Sequence, residues 1–200
     1  LTVQETLYFS VALRLSLPGG LGEVAKVAER RRRAGLLLDL LSLRGLERRF
    51  VGGGELSGGL SGGERKRLSI AAELVNLPSV IFLDEPTSGL DSLAASEVVS
   101  SIRTLASQQR VVVTTIHQPS LTTFGQFDEL LLLSEGLSAY CGPVRGAVAY
   151  FHHNGSRFQS ALKINPADFL VAAAASRPAE ELARQFNESE AGLALAAKLN

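Results

Sequence analysis

Two adjacent carboxylates, Asp84 and Glu85, close the apolar run Val80-Ile81-Phe82-Leu83. Such a run fits a parallel strand buried on both faces, and open α/β sheets bind ligands at the carboxyl ends of their strands. Alternation along a strand points the two side chains to opposite sides, so they can take different tasks. Asp84 suits a Mg²⁺ ion, which keeps much of its water shell and takes few protein carboxylates. Glu85 suits a general base that orients and deprotonates a water attacking a terminal phosphate. Taken alone, two carboxylates in this position could equally cap the helix that follows. A second apolar run, Val111 to Ile116, ends in His117. Taken alone, a histidine there is more often structural. Two neighbouring parallel strands, however, would end at one sheet edge and put His117 beside Asp84 and Glu85, where it could hydrogen-bond a phosphate oxygen.

A third group precedes these. Ser61-Gly62-Gly63-Glu64 opens a run in which Leu68, Ala71, Ala72 and Val75 recur at helical spacing. Ser61 with Glu64 three positions on makes a reciprocal capping box. Ser57-Gly58-Gly59 offers a rival start, but it would put two glycine pairs in the first turns, at about 1 kcal/mol for each helical glycine. Ser61 is therefore the expected N-cap, and Ser57 belongs to the approach loop. Most Ser-x-x-Glu matches are caps and nothing more. Here the glycine pair would let a phosphate approach the N–H groups at the positive end of the helix. Arg65-Lys66-Arg67 also puts three cations where the helix dipole disfavours them. A bound anion would compensate such a break of a local rule, and solvent exposure would serve as well.

The elements that must position these groups follow from the rest of the chain. Thr2 and Glu5 form a capping box for a helix through Leu7, Val11 and Leu15, ending before Pro18-Gly19-Gly20. A second helix is expected from Gly22 to Leu41, with Val24, Val27, Ala28, Leu37, Leu40 and Leu41 as its apolar side. Arg30 to Arg33 within it read as a solvated face, because Glu23, Glu29 and Asp39 flank them and no aromatics interleave to stack bases. Asp91 reads as the N-cap of a helix carrying Ala95, Val98, Ile102 and Leu105 inward. Glu129 to Ser134 and Leu137 to Cys141 read as a hairpin turning at Glu135-Gly136, with a helix after Gly142-Pro143 running to Phe151. His152 and His153 lack the spacing of a helical metal pair and read as surface residues. Asn165-Pro166-Ala167-Asp168 is a helix start, and the tail from Phe169 to Asn200 should be two helices broken near Arg177-Pro178.

The 200 residues, 46% of them hydrophobic, suit one domain or most of one. Twenty basic residues balance 20 acidic ones, which leaves no net field for nucleic acid. A single cysteine, Cys141, excludes an internal disulfide and a multi-cysteine metal site. No apolar run approaches the roughly 18 residues of a transmembrane helix. The chain begins at Leu1 and has no methionine, so it is expected to be an excerpt of a longer protein.

In this order and spacing the motifs resemble the nucleotide-binding domain of ATP-binding-cassette (ABC) proteins, over about Leu1 to Pro143. Leu60-Ser61-Gly62-Gly63-Glu64 resembles the family's signature, and Leu83-Asp84-Glu85-Pro86 its metal and base motif. Ser88-Gly89-Leu90-Asp91 is similar to its D-loop, and His117 to its switch histidine. The resemblance implies an α/β fold: a partial P-loop NTPase (ABC ATPase) domain with an α-helical subdomain and a C-terminal helical linker. The expected divisions are residues 1–76 for the helical subdomain, 77–150 for the ATPase core and 151–200 for a linker toward a membrane domain. It further implies ATP and Mg²⁺ as ligands, with Asp84 on the metal and Glu85 and His117 catalytic. Leu60, Ser61, Gly62, Gly63, Glu64 and Asp91 would contact nucleotide held by a second nucleotide-binding domain, since two such domains sandwich two ATP molecules.

Leu1-Thr2-Val3-Gln4-Glu5-Thr6-Leu7, Gly63 to Ile70, His117-Gln118-Pro119-Ser120 and Asn165-Pro166-Ala167-Asp168-Phe169 resemble the G subfamily of half-transporters. That implies a membrane-bound parent with this domain on the cytosolic side, exporting or flipping lipids, sterols, waxes or other amphipathic compounds. Two departures stand out. The P-loop G-x-x-x-x-G-K-[ST] and the glutamine loop are not in this sequence, so alone it is expected to bind ATP weakly. Arg157 to Ile164 also lacks the Cys-Pro pair often found before the Asn-Pro motif. Two other readings compete: a soluble ABC ATPase of DNA maintenance or translation, and an interaction domain that binds nucleotide without turnover.

Overall fold

The computed structural model describes residues 1–53, 58–153 and 165–199. Ser57 and the stretch from Arg157 to Ile164 lie outside the described residues. Contacts divide the chain into two units, Leu1–His117 and Gln118–Asn200.

In the first unit, α1 (Val3–Arg14) begins at the expected capping box. The Glu5 N–H donates to Thr2 Oγ1 at 3.3 Å, and the Thr2 N–H donates to Glu5 Oε2 at 2.9 Å. Helix α2 (Glu23–Leu40) buries Ala34, Leu37, Leu38 and Leu40. Its expected apolar side is only half realised: Val24 is 87% exposed and Ala28 is also exposed. Full burial starts at Ala34, and in the first turns Val27 is only half-buried, so this end of the helix stands at the margin of the core. Arg31 and Arg32 are solvated as expected, whereas Arg30 and Arg33 are half-buried, and Arg33 donates to the Val75 carbonyl.

Helix α3 (Gly62–Glu73) runs into a 3₁₀ turn at Leu74–Asn76, and left-handed Leu77 with Pro78 ends it. Strand β1 (Val80–Leu83) pairs in parallel with β2 (Val111–Thr114), in the register Val80↔Val111 to Leu83↔Thr114. Helix α4 (Ser92–Ala106) connects them. One core joins Val3, Leu7, Leu37, Leu60, Leu68 and Ile81 with the Val98, Ile102 and Leu105 side of α4.

The strands are not buried on both faces. Ile81 is inside, but Phe82 is 75% exposed and Val80, Val111 and Val113 are exposed beside it. A sheet face without an element over it leaves its alternate residues bare, and among the described residues nothing covers this one. The second strand also stops at Thr114, short of the expected Ile116.

In the second unit, the short helix α5 (Leu121–Phe124) precedes the hairpin of β3 (Glu129–Ser134) and β4 (Leu137–Pro143). Its turn sits at Glu135 and Gly136, with φ of 49° and 81°, the positive values that a two-residue hairpin of native twist requires. Helix α6 (Val144–His153) follows, and His152 and His153 are exposed, His152 stacking on Phe169 at 4.9 Å. Asn165 caps α7 (Pro166–Ala175) through the Ala167 N–H. Phe124, Tyr140, Phe151, Phe169, Leu182 and Phe186 form the core of this unit.

The tail departs from the expected single break. After Pro178, α8 (Ala179–Glu188) stops at Ser189, and α9 (Glu190–Leu199) starts anew. The Ser189 hydroxyl donates to the Phe186 carbonyl and accepts the Gly192 N–H, which turns the chain. A Cβ on Gly192 would collide with the Phe186 carbonyl, so this bend needs glycine. No described helix is long and apolar enough to cross a membrane.

Candidate functional site

The start of α3 is wired as its sequence pattern requires. Ser61 Oγ accepts the Glu64 N–H at 3.2 Å, and Glu64 Oε2 accepts the Ser61 N–H at 2.7 Å. The first amides of a helix have no intrahelical acceptor, so the Gly62 and Gly63 N–H groups are the donors the capping box leaves. The Ser61 hydroxyl keeps its own proton to donate as well. The loop before it is fixed from outside the helix. Arg49 Nη1 donates to Glu64 Oε1 and Oε2 at 2.9 and 3.1 Å, and its Nη2 donates to the Gly59 carbonyl.

The glycine pair has a packing reason that the sequence did not disclose. A Cβ on Gly62 would stand 3.2 Å from Leu90 Cδ2, and one on Gly63 would stand 3.2 Å from Ala94 Cβ. Residues 61–64 are thereby held against Leu90 and the first turn of α4. Asp91 caps that turn, its Oδ1 accepting the Leu93 and Ala94 N–H groups at 2.9 Å. Two of the three first-turn cations also find internal partners. Arg67, nearly buried, pairs with Glu97 on α4 at 3.0 Å, and Arg65 donates to the Leu60 carbonyl at 2.7 Å. Their placement therefore does not by itself require a bound anion. Lys66 instead lines a groove of about 370 Å³ between α3 and β1, together with Phe82 and Asp84.

Asp84 and Glu85 lie just past the end of β1, both exposed. Strand alternation does not reach Glu85, whose φ of 41° turns the chain out of the ladder. A left-handed non-glycine residue costs of order 1–3 kcal/mol and persists where its surroundings hold it. Thr115 supplies the hold. Its Oγ1 accepts the Glu85 N–H at 2.9 Å and donates to Asp84 Oδ1 at 2.5 Å. The Thr115 N–H donates to the Leu83 carbonyl at 3.1 Å, continuing the parallel pairing one residue past the ladder. His117 is exposed two residues further along this strand's path, followed by Gln118 at φ 43°. Register thus puts Asp84, Glu85 and His117 at the same end of the two strands, while the hydrogen bonds join Thr115 to the Asp84 carboxylate and to the backbone N–H of Glu85.

Sequence reasoning passed over Arg49 and Thr115. Nothing in the spacing marks Arg49, which is fifteen residues from its partner Glu64. The parallel register could have found Thr115, because it stands opposite Asp84 once Leu83 pairs with Thr114.

Among the described residues no group of three or more His, Cys, Asp or Glu could hold a metal by itself. A cation at Asp84 would therefore draw on no more than two such side chains and on water or phosphate oxygens, the pattern Mg²⁺ takes in phosphoryl-transfer sites. The Thr115 hydroxyl on Oδ1 orients that carboxylate, as outer partners of metal ligands do. The residues present fit the ion.

Residues 1–88 match the ABC transporter family model, and residues 117–181 match the ABC-2 type transporter model. The chain is 45% identical over 171 residues to ABC transporter G family member 14 of Arabidopsis thaliana, an alignment covering 86% of this chain and 25% of that protein. It is 47% identical over 172 residues to G family member 25 of the same plant, covering 86% and 25%. It is 40% identical over 188 residues to Protein scarlet of Drosophila melanogaster, covering 92% and 27%. The chain thus spans about a quarter of the length of these relatives.

Among solved structures, cbiO1 from Clostridium perfringens, part of an ABC transporter complex, superposes with a TM-score of 0.58 at 23% identity, over 78% of this chain and 58% of that one. An ATP-binding cassette of an ABC transporter in its ADP conformation gives 0.53 at 19% identity, over 74% and 59%. These two likenesses establish the α/β fold of an ABC ATPase domain for the chain.

Proposed function

The chain belongs to the ABC transporter family, with G family members among its relatives, and we propose that it carries one half of a composite ATP site in the motor of a membrane exporter. The observation that carries this reading is the start of α3. There a hydroxyl and two first-turn amides, which among the described residues have no acceptor, are fixed at the positive end of a helix that also packs on the Asp91 turn.

In this reading Ser61, Gly62 and Gly63 donate to the terminal phosphate of ATP bound on a second nucleotide-binding domain. Leu60, Glu64 and Asp91 hold that face in place. The strand edge serves a different nucleotide, the ATP of this chain's own domain; there Asp84 would hold Mg²⁺, which when bound neutralises charge developing on the phosphate oxygens. Glu85 orients a water and takes its proton as the oxygen attacks the terminal phosphorus. His117 donates a hydrogen bond to an oxygen of that phosphate. The products are ADP and inorganic phosphate.

Residues 1–76 would act as the helical subdomain that meets the partner, 77–150 as part of the catalytic core, and 151–200 as the link to a membrane domain. The parent works as a homo- or heterodimer in a membrane with this domain on the cytosolic side. Its cargo is a lipid, sterol or other amphipathic compound, a reading supported only by the G-family likeness.

The test is Glu85→Gln in the full-length protein. Removing a general base costs of order 10²–10⁴ in rate, so ATP turnover should fall by about that factor while nucleotide binding persists. Hydrolysis at the parental rate would remove Glu85 from the role of base.

A further inference from the structure

We infer that Arg49 is a positioning residue for the composite site, acting through Glu64 to keep the start of α3 rigid and electrically neutral. This rests on the reading of Ser61, Gly62 and Gly63 given above. A carboxylate three residues from Ser61, already bonded to the Ser61 N–H, puts a full negative charge beside the place where a phosphate is to dock. Uncompensated, it would oppose the helix dipole that makes the place attractive to anions.

Arg49 resolves the conflict. One guanidinium nitrogen spans both Glu64 oxygens, and the other holds the Gly59 carbonyl. The planar fork therefore cancels the charge and ties the incoming loop to the first helical turn in one group. A lysine could do the first but not both together. The pair is partly shielded, with 34% of the Arg49 side chain and 17% of the Glu64 side chain exposed.

The backbone of Arg49 is itself anchored. Its carbonyl accepts the Val3 N–H at 3.0 Å, its N–H donates to the Leu46 carbonyl at 2.9 Å, and Phe50 bridges to Thr2. The position of the guanidinium is thereby set by the start of α1, outside the motif it serves.

The experiment measures kcat and KM for ATP in the full-length transporter, at low and high salt. The variants are Ser61→Ala, Arg49→Gln, Arg49→Lys and the double variant Arg49→Gln/Glu64→Gln. Glutamine keeps a capping box while removing the charge, so the double variant restores neutrality without restoring the clamp.

With Ser61→Ala impaired, Arg49→Gln should lose about tenfold in kcat with KM shifted by less than about twofold, a modest loss for misplaced groups. That defect should narrow as salt screens the Glu64 charge. The double variant should regain at least about threefold of it by removing the charge itself, and Arg49→Lys should fall between the parent and Arg49→Gln. Parental turnover in Arg49→Gln, a salt-independent defect, or a double variant no better than the single one overturns the inference. If Arg49→Gln does not fold, Arg49→Lys decides: a lowered kcat at constant KM supports the role, and a parental kcat overturns it. Parental turnover in Ser61→Ala removes the underlying reading instead.

Discussion

The start of α3 and the end of β1 are built to different degrees from this chain's own residues. At α3 every element around Ser61 is tied to another. Glu64 closes the capping box, Arg49 clamps Glu64 and Gly59, and Gly62 and Gly63 rest on Leu90 and Ala94. At β1 the carboxylates are exposed, Glu85 on left-handed backbone, and the Thr115 hydroxyl links the Asp84 carboxylate to the Glu85 backbone N–H. The face beneath them carries bare Phe82 and Val113. A preorganised binding surface needs its supports in place before the ligand arrives. The first region has several such side-chain supports, and among the described residues the second has the Thr115 hydroxyl together with backbone bonds at Leu83 and Glu85.

That contrast is most exposed to Thr115→Val in the full-length protein. The substitution keeps the shape and removes the bridge between the Glu85 N–H and Asp84 Oδ1. A misplacement near 1 Å at a reacting centre costs about 10²-fold, so ATP turnover should fall by about that much. Thr115→Ser should restore most of it, because the hydroxyl returns. The unfolding midpoint should move little, since these groups face solvent. Unaltered turnover in the valine variant would mean that the edge has supports other than the hydroxyl, and the contrast with α3 would weaken.

Gly63 probes the other side of the comparison. Gly63→Val would drive a branched side chain into Ala94, and overpacking of this kind costs about 1–3 kcal/mol. Gly63→Ala should be far milder. Its single methyl meets Ala94 Cβ at 3.2 Å, which asks α4 to yield slightly, while alanine regains up to about 1 kcal/mol of helix propensity. Denaturant midpoints of the two variants measure the difference. Equal midpoints for parent and valine variant would show that α3 and α4 separate freely and that their packing does not support Ser61.

Local chemistry explains which parts of the fold and the site were legible in the sequence. Both capping boxes, the Asp91 and Asn165 caps and the hairpin turn at Glu135-Gly136 are written in residues within four positions of one another, and all appear as read. Parallel pairing of the two apolar runs followed from their length and composition. What escaped depends on partners far along the chain. An apolar run shows that a strand suits burial, not that anything covers both faces, and so Phe82 was misjudged. Val24 failed for the same reason, because periodicity names a face without saying where its partner ends. Arg65 and Arg67 looked uncompensated because the Leu60 carbonyl and Glu97 compensate them through folding. Arg49 and Thr115 are supports whose meaning exists only in three dimensions.

The smallest expected effect tests how far the wiring of α3 reaches. Val3, in the first turn of α1, holds the Arg49 carbonyl, so fraying of α1 would loosen the clamp. The Thr2 backbone N–H, and then the Thr2 side chain, hold the Glu5 carboxyl below its ordinary value. A carboxyl lowered by folding adds stability above its unfolded value, and that stability is lost as pH falls through the folded one. Acidification through that window should therefore fray the start of α1 in the parent protein. Glu5→Gln keeps a capping box without a titrating group and should remove this part of the pH dependence. Carboxyl NMR should find the Glu5 midpoint below that of an ordinary glutamate, and amide exchange near Val3 should accelerate over the same range. A Glu5 midpoint at the ordinary value would show that the Glu5–Thr2 bonds do not steady this end of α1, so the Val3 hold on the Arg49 carbonyl and the Thr2–Phe50 bridge would owe nothing to them.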